Sequence, residues 1–379
     1  MSAAHVLESA PMQVPLRQVE REMTRQLKSA QGQNGEAPAV RAGLSNLIIY
    51  CNSAELAEHI GQAVPSIVAV HPARVLMLAH EPNAPEEPIT ATVHTRMHGL
   101  GRGLRAFSEQ VTLRACGQAG EHLPYAVRSL VIGDLPTNLW WAAPQPPAMA
   151  GALLYDLSEH AEQVLYDSFG WPEPARGMTA TASWLDRFER SSGQGAYRVA
   201  SDLTWRRLKP WRRLLGQALD PSTAPGALNS ISSIEIDHGP HSVMIAWSLA
   251  SWLALCLGWT VCGAKVQPAV QIDWRFDTPA GPRHMIVRRL ADAPRGVRRV
   301  RIAWPSNGQI HALVANPEEN ERRLSIVPEG TDAVPRTLSV RSRPLAELVG
   351  RQLSDRERDP FFRQTVAVAQ ELARSVLGS

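Results

Sequence analysis

The sequence is poor in lysine and cysteine, and it lacks the short motifs of the common catalytic sites. Lysine occurs only at Lys28, Lys209 and Lys265, so almost all of the 39 basic residues are arginines. A GC-rich coding bias explains arginines that are spread over the whole chain. The alternative is selection for planar, bidentate contacts with carboxylates or phosphates. The chain contains no P-loop, no His-Glu-x-x-His and no Gly-x-Ser-x-Gly motif, so no established catalytic signature is present.

The four cysteines predict neither a metal centre nor a disulfide framework. Cys51, Cys116, Cys256 and Cys262 form no Cys-x-x-Cys pair, and no histidine lies at zinc-finger spacing from them. Four cysteines in 379 residues are also too few for the disulfide framework of a small secreted protein. Because Cys51 and Cys256 stand inside apolar runs, we expect both thiols to be buried and inert.

The composition is that of a folded, soluble chain, and the length predicts two domains or one large elaborated unit. Hydrophobic residues make up 44% and charged residues 20% of the 379 positions, and the formal net charge is +3. This charge is too small to require a nucleic-acid or membrane partner. The amino terminus has no basic segment followed by an apolar stretch, so the sequence predicts no signal peptide and a cytoplasmic protein.

One segment is long and apolar enough to raise the question of a membrane span. Ser242–Ala264 carries no charged residue. It contains three serines, however, and no basic cluster flanks it. We therefore interpret it as a buried core helix that ends near Gly258 and is followed by a strand.

The hydrophobic patterns predict two kinds of fold along the chain. Apolar runs at Leu44–Cys51 and Ala73–His80, with the helical pattern Ser53–Val64 between them, predict a right-handed parallel crossover. From Ile231 onward, alternating strands with short turns predict an antiparallel meander. The predicted units are an N-terminal helix and flexible linker over 1–40, an α/β domain with a mixed, partly parallel sheet over 41–224, and an α+β domain over 225–379.

Three local patterns are weak candidates for chemistry. The Gly-x-Gly-x-Gly loop at 99–103 lies between two alternating strands, so a turn explains it better than a phosphate cradle. Asp237, His238 and His241 could hold a metal or move protons, but a strand that leads into a helix yields the same composition. Asp167 and Ser168 follow a predicted strand, where open α/β sheets bind ligands, and helix capping explains them equally well.

Seven arginines between Arg283 and Arg301 form the densest basic region. Neighbours such as Arg288 and Arg289 point to opposite faces of a strand, so the region is not one continuous stripe. A solvated sheet face is the simpler interpretation, and a docking patch for an acidic partner is the alternative. Nucleic acid is disfavoured because aromatic residues are not interleaved with the arginines.

The most distinctive stretch is "DLTWRRLKPWRRLLGQALDP", residues 202–221. Trp205, Leu208 and Trp211 begin an apolar face at helical spacing. Pro210 suits the first turn of a new helix. The pattern predicts two short helices whose tryptophans pack in the core. Four arginines fall mainly outside the apolar face and are expected to meet solvent: Arg206, Arg207, Arg212 and Arg213.

This stretch resembles the Asp-Leu-x-Trp-x-Arg-Leu-x-Pro-Trp-Arg-x-Leu-Leu segment of the OpcA family, the glucose-6-phosphate dehydrogenase assembly proteins. Further segments are similar to the family in the same order: "LSNLIIYC", "HPARVLML", "DLPTNLWWAAPQP", "LYDSFGW" and "WSLASWLALCLGW". Together these segments cover approximately Leu44–Trp259. The resemblance implies an accessory protein without cofactor or metal, not an enzyme.

The resemblance also implies a function and a partner. Such a protein binds glucose-6-phosphate dehydrogenase and promotes its active oligomer, which supports the oxidative pentose phosphate pathway and NADPH supply. Because interfaces favour arginine and tryptophan, we expect the partner surface to include the four arginines and any exposed member of the pair Trp140 and Trp141. At least one of these two tryptophans is expected in the core, since neighbours on a strand point to opposite faces.

A second function is compatible with the predicted α/β domain. The chain would then be a metabolite- or nucleotide-binding protein with its site at the carboxyl ends of the strands. Asp134, Asp167 and Ser168 are the residues expected near that site.

Overall fold

The computed structural model describes residues 7–32, 39–41, 43–101, 104–190, 198–224, 226–341 and 343–378. The first sheet contains β1 (Leu7–Glu8), β2 (Met12–Val14), β3 (Ala39–Arg41), β4 (Ser45–Cys51), β5 (Ala73–Glu81), β6 (Glu87–Gly101), β7 (Leu104–Cys116), β8 (Thr137–Trp141), β9 (Gln163–Tyr166) and β10 (Val199–Asp202). The second sheet contains β11 (Ser233–His238), β12 (Thr260–Gln267), β13 (Gln271–Asp277), β14 (Arg283–Arg289), β15 (Val297–Ser306), β16 (Gln309–Pro317), β17 (Arg323–Pro328) and β18 (Arg336–Ser339). The helices are α1 (Val19–Gly32), α2 (Ala54–Val70), α3 (Leu123–Leu130), α4 (Ala152–Ser158), α5 (Pro174–Arg190), α6 (Leu203–Arg207), α7 (Lys209–Ala218), α8 (Ala227–Ser230), α9 (Val243–Leu257), α10 (Leu345–Ser354) and α11 (Pro360–Leu377).

The first sheet is mixed and mostly parallel, as the sequence predicts. Its parallel strands stand in the order β7-β5-β4-β8-β9-β10, and β6 adds to β7 in the antiparallel sense. The predicted crossover is β4–α2–β5. From β4 the chain moves to β5 on one side, and it later returns to β8 on the other side of β4. The strand order therefore reverses between β4 and β8. Sheets of this kind bind ligands at that switch point, outside the carboxyl ends of the strands.

The strands β6 and β7 form one long hairpin. Their register runs from Glu87 opposite Cys116 to Gly101 opposite Leu104. The glycine loop of the sequence therefore closes a strand pair, as expected, and does not precede a helix. Arg102 and Gly103 of this sequence pattern lie outside the described residues.

Both faces of the first sheet are covered by helices. On β4, Leu47 and Ile49 pack with apolar residues of α2 and α10. Ile48 and Tyr50 join the larger core on the opposite face, which includes residues of α3, α4 and α5. This two-sided burial explains why β4 reads as a continuous apolar run and not as an alternating one.

The second sheet is a meander interrupted by one inserted strand. Its order is β12-β13-β14-β11-β15-β16-β17-β18. The predicted antiparallel neighbours are present, but β11 lies between β14 and β15 and runs parallel to β14, with Ile236 opposite Val287. After β11, helix α9 carries the chain to the edge of the sheet, where β12 forms. The strands β12, β13 and β14 then follow one another back across the sheet, so β14 pairs with β11.

The second sheet is apolar on one face and charged on the other. Trp274 and Met285 are buried beneath α9, where the Trp247 and Trp274 rings lie 4.8 Å apart. On the opposite face, arginines of β14 and β15 lie within ion-pair distance of acidic residues. The residues concerned are Arg288, Arg299 and Arg301, with Glu235, Asp237 and Glu329. This part of the arginine-rich region is the solvated, acid-paired sheet face that the sequence favours.

The apolar segment Ser242–Ala264 divides as predicted. Helix α9 ends at Gly258, whose φ of 64° terminates the helix, and β12 follows. No helix among the described residues is long and apolar enough to cross a membrane. The expectation for Cys256 is wrong, however: its side chain is exposed, because the last turn of α9 leaves the core. Cys51 is buried as expected, and burial raises the pKa of its thiol to about 12.

The carboxyl-terminal helices connect the two sheets. Helix α10 packs on α2 of the first sheet, and α11 packs on both α5 and α9. The side-chain amide of Gln163 donates to the backbone oxygens of Gln352 and Asp355, each over 3.0 Å. At the other end of the chain, α1 continues to Gly32, so the first residues of the predicted linker are helical.

Candidate functional site

The distinctive stretch forms two short helices, as the sequence predicts. Asp202 caps α6 by accepting a hydrogen bond from the backbone N–H of Thr204. Helix α6 ends at Arg207, and α7 starts at Lys209 with Pro210 in its first turn. Since proline lacks an amide hydrogen, the first turn is where α7 tolerates it. The resulting break sets the two pairs of arginines on different helices.

The two tryptophans of the stretch are packing anchors. Trp205 and Trp211 are buried, at 7% and 6% exposure. The indole N–H of Trp205 donates to the Asp359 carboxylate over 2.7 Å, and its ring lies 5.7 Å from that of Phe362. Trp205 therefore fixes α6 against the first turn of α11.

The arginines of α6 are engaged within the chain. Arg206 donates to the Gln352 side chain over 2.7 Å and to the Asp355 carboxylate over 2.6 Å. Arg207 makes a bidentate contact with Asp167, with N–O distances of 2.6 and 2.8 Å. Both guanidinium groups thus hold α6 in place, and neither is a freely exposed cation.

Arg212 is partly buried and stacks on Trp205. Its guanidinium carbon lies 3.4 Å from the centroid of the Trp205 ring, and it donates to the Trp205 backbone oxygen. Burial lowers the pKa of Arg212 to about 10, although Asp359 acts in the opposite direction. Its Nε is buried without a hydrogen-bond partner in the described part of the chain.

Arg213 and Lys209 are the exposed cations of the stretch. Both line a groove of about 590 Å³ between α6–α7 and the segment that joins α10 to α11. We call it the Trp-Arg groove. Its floor includes Trp205 and Arg212, and its opposite wall carries three acidic residues and Arg358. The acidic lining residues are Asp202, Asp355, Glu357 and Asp359.

Trp140 and Trp141 were expected at the partner interface only if their side chains were exposed, and neither is exposed. Both side chains are 1% exposed. Trp140 lies in the core beside α2 and α10, whereas Trp141 stacks on Tyr50 at 4.1 Å on the other face. Because helices cover both faces of the sheet, alternation places both residues in a core instead of one.

The structure separates the residues expected at the strand ends. Asp167 and Ser168 follow β9 at the carboxyl edge of the sheet, whereas Asp134 precedes the parallel strand β8 and lies at the opposite edge. The Ser168 hydroxyl donates to Asp202 over 2.5 Å, and Asp167 accepts from Thr204 as well as from Arg207. These groups tie β9 and β10 to α6.

The switch point itself offers a second cleft. It has a volume of about 790 Å³, and Tyr50, His80 and Gln145 line it. The link from β4 to α2 is Asn52-Ser53 and contains no glycine. The Ser53 hydroxyl caps α2 by accepting from Leu56 N–H, and Glu55 adds a negative charge in the first turn. In dinucleotide-binding sheets, the pyrophosphate lies at the amino terminus of the helix in this position. Here that terminus carries the Ser53 cap and the Glu55 carboxylate, so these residues do not fit a pyrophosphate.

The Asp-His cluster of the sequence is split. Asp237 lies within ion-pair distance of Arg288 and Arg299, on the charged face of the second sheet. His238 and His241 instead line a different cavity, where the two sheets meet. Within the described residues no group of three or more His, Cys, Asp or Glu side chains could hold a metal ion.

Two family models match the chain over most of its length. Residues 38–183 match the glucose-6-phosphate dehydrogenase subunit N-terminal domain of OpcA, and residues 198–366 match the corresponding C-terminal domain. The chain belongs to the OpcA family. The first match ends inside α5 and the second begins just before β10, so α6, α7 and the wall of the Trp-Arg groove belong to the C-terminal match.

Curated relatives carry the name OxPP cycle protein OpcA. The protein from Synechocystis is 29% identical over 186 residues, which are 49% of this chain and 37% of the relative. The protein from Nostoc punctiforme is 32% identical over 151 residues, which are 40% of this chain and 30% of the relative. The matched region thus spans only about a third of each of these relatives.

Among solved structures, the likenesses are weaker. The transcriptional regulator Gal80p from Saccharomyces cerevisiae, in a super-repressor mutant, has a TM-score of 0.48 at 9% identity, covering 89% of this chain and 98% of that one. An oxidoreductase from Sinorhizobium meliloti has a TM-score of 0.45 at 11% identity, covering 89% and 90%. Scores and identities this low transfer no activity to this OpcA-family chain.

The acidic wall of the Trp-Arg groove was not predicted. Asp355 and Asp359 lie about 150 residues after Arg206 and Trp205, to which they are hydrogen-bonded. The sequence "SDRERDP" before α11 signals a charged loop, with Asp359 as a cap for the helix that starts at Pro360. No local pattern indicates which part of the chain such a loop will contact.

Proposed function

We propose that this chain is a non-catalytic effector that binds glucose-6-phosphate dehydrogenase and promotes its active oligomer. The observation that carries the proposal is the pair of family matches, which cover both sheets of the fold in order. In this role the protein acts in the cytoplasm and supports the oxidative pentose phosphate pathway and its supply of NADPH.

The residues at the usual ligand positions support a non-catalytic role. The amino terminus of α2 at the switch point is occupied by the Ser53 cap and by Glu55. The strand-end carboxylates Asp167 and Asp202 are bound by Arg207 and Ser168. Groups that are hydrogen-bonded within the fold serve packing and position rather than substrate chemistry.

We place the partner contact at the Trp-Arg groove. Lys209 and Arg213 are exposed there, while Trp205, Arg206 and Arg212 line the groove beside them. Exposed cations on one side of the groove and acidic residues on the other suit a partner segment of mixed charge, with acidic groups against Lys209 and Arg213, since complementary charge steers association and sets orientation. A partner that binds the active oligomer better than the inactive one shifts the population by that difference in affinity.

The test uses glucose-6-phosphate dehydrogenase from the same organism, titrated with the purified chain. Enzyme activity and the mass of the mixture by light scattering are followed together. We expect activation with a co-migrating complex, and about tenfold weaker binding for the double variant Lys209→Glu/Arg213→Glu, because reversed charge repels the acidic groups of the partner. Arg176→Glu on α5 is the matched control, since Arg176 is exposed and lies outside the groove.

The experiment distinguishes a failure of the proposed function from a failure of the proposed contact surface. If the unaltered chain neither activates the enzyme nor forms a complex, the effector function is wrong. If it activates and the double variant is equally potent, the function stands and the contact lies elsewhere than the groove.

The alternative function is a metabolite- or nucleotide-binding protein with its site at the strand carboxyl ends. The observation that favours it is the 790 Å³ cleft beside the switch point of the first sheet. Calorimetric titration with glucose 6-phosphate and with NADPH tests it. Saturable binding that is lost in Gln145→Ala supports this function, and the absence of heat for both compounds removes it.

A further inference from the structure

A third cavity lies where the two sheets meet, separate from the Trp-Arg groove and from the cleft at the switch point. Its volume is about 490 Å³, which is within the range of small-molecule pockets. The loop after β9 and the start of α5 supply Trp171 and Ala175. Helix α9 supplies Val243 and Trp247, and the face of the second sheet supplies Ile272 and Val287. The walls are therefore aromatic and aliphatic side chains from both parts of the fold.

The polar lining residues of this pocket are two histidines, two glutamines and Arg289. His238 is buried, and its Nδ1 lies 2.7 Å from the Gly239 oxygen, so that nitrogen carries the hydrogen and donates it. The backbone after His238 packs closely on a neighbouring loop, because a Cβ at Gly239 would lie 1.9 Å from the Pro294 oxygen. His241 and Arg289 are exposed lining residues.

The charge of the pocket restricts the ligand. Arg289 is its one fixed cation among the described lining residues, since burial lowers the pKa of His238 and favours the neutral imidazole. A polyphosphate needs several cations or a cradle of amides, which this lining lacks. A metal ion needs at least three protein ligands, and the two histidines do not supply them.

We propose that this pocket binds a small apolar monocarboxylate. The hydrocarbon or aromatic body occupies the space between Trp171, Val243 and Val287, and the carboxylate pairs with Arg289 at the mouth. The ligand contacts residues matched to the N-terminal family domain through Trp171, and residues matched to the C-terminal domain through the others. Its binding therefore stabilises the arrangement of the two sheets.

The test uses two probes and four variants of the full chain. The aromatic anion 8-anilinonaphthalene-1-sulfonate reports binding by fluorescence, and decanoate is the competing carboxylate. Ala175→Trp fills the pocket from an already half-exposed position at the start of α5, and Arg289→Gln removes the cation. Their matched controls are Arg176→Trp, on the neighbouring exposed position, and Arg288→Gln, on the same strand but on the opposite face.

We expect one saturable site per chain, displaced by decanoate. Ala175→Trp should abolish this binding, Arg289→Gln should weaken it about tenfold through loss of the charge-assisted contact, and both controls should bind normally. Melting temperatures of all variants show that each is folded. Absent or non-saturable fluorescence in the unaltered chain overturns the proposal, and so does normal binding by both Ala175→Trp and Arg289→Gln.

Discussion

The guanidinium of Arg212 stacks on the indole ring of Trp205, with 3.4 Å between the guanidinium carbon and the ring centroid. This contact crosses the break between α6 and α7 and holds the two helices at a fixed angle. A cation over an aromatic face is favourable, and more so when partly removed from water. It also separates Arg212 from its neighbour Arg213, which is exposed.

The two adjacent arginines should therefore respond differently to charge reversal. We expect Arg212→Glu to destabilise the fold by about 2 kcal/mol or more, because a carboxylate would face the negative ring of Trp205 near Asp359. Arg213→Glu should change the free energy of unfolding by less than about 0.5 kcal/mol, as exposed substitutions do. Urea unfolding followed by tryptophan fluorescence measures both. Equal effects of the two variants would contradict the structural role of Arg212.

Asp202 should give the stability a distinct pH dependence. Burial, reinforced by the charge of Asp167, raises the pKa of Asp202 from 3.8 to about 6 in the folded state. Because the folded state then binds more protons than the unfolded state, the contribution of Asp202 is fully present below pH 4 and is lost as the pH rises through 6. Asp202→Asn keeps an oxygen for the amides of Ser168 and Thr204 but does not titrate.

The measurement is the difference in unfolding free energy between Asp202→Asn and the unaltered chain. We expect the variant to gain up to about 3 kcal/mol relative to the unaltered chain between pH 4 and pH 7, from the linkage of 1.36 kcal/mol per pKa unit. Titrating groups that do not interact with Asp202 cancel in this difference. A difference that is constant with pH would show that the pKa of Asp202 is not raised.

Two glycines form a matched pair for a stability test. Gly239→Ala should be strongly destabilising, because the new Cβ would lie 1.9 Å from the Pro294 oxygen, which is backbone and cannot rotate away. Gly216 lies inside α7, where a Cβ would meet no other atom within 4 Å, so Gly216→Ala should stabilise the chain by about 0.5–1 kcal/mol. Thermal unfolding of both variants measures the opposite signs. Destabilisation by Gly216→Ala would mean that Gly216 does not lie in the interior of α7.

Local patterns predicted the elements of this fold well because local physics determines them. Residues 44–51 read as a buried strand since both faces of β4 are covered, and Pro210 marked the break between α6 and α7. The end of α9 at Gly258 followed from the same reasoning. In each case the signal lies within a few residues of the feature.

Long-range pairings were not predictable in this way. The insertion of β11 between β14 and β15 depends on where α9 carries the chain, and no residue of β11 specifies that position. Likewise, the helical pattern placed Arg206 and Arg212 on a solvent face. It could not show that Asp355 and the loop around Asp359 return to cover that face. The sequence therefore predicts which residue types form the site, and only the structure shows that they line a groove.

The packing of α10 on α2 has a consequence for synthesis of the chain on the ribosome. His71, just after α2, contacts Ser354 of α10 with 3.2 Å between Nδ1 and Oγ, although 283 positions separate them. The sheet that is translated first thus keeps an apolar helix face uncovered until α10 has been made. Nascent chains expose that face until then, and it is where we expect a chaperone to act on this protein.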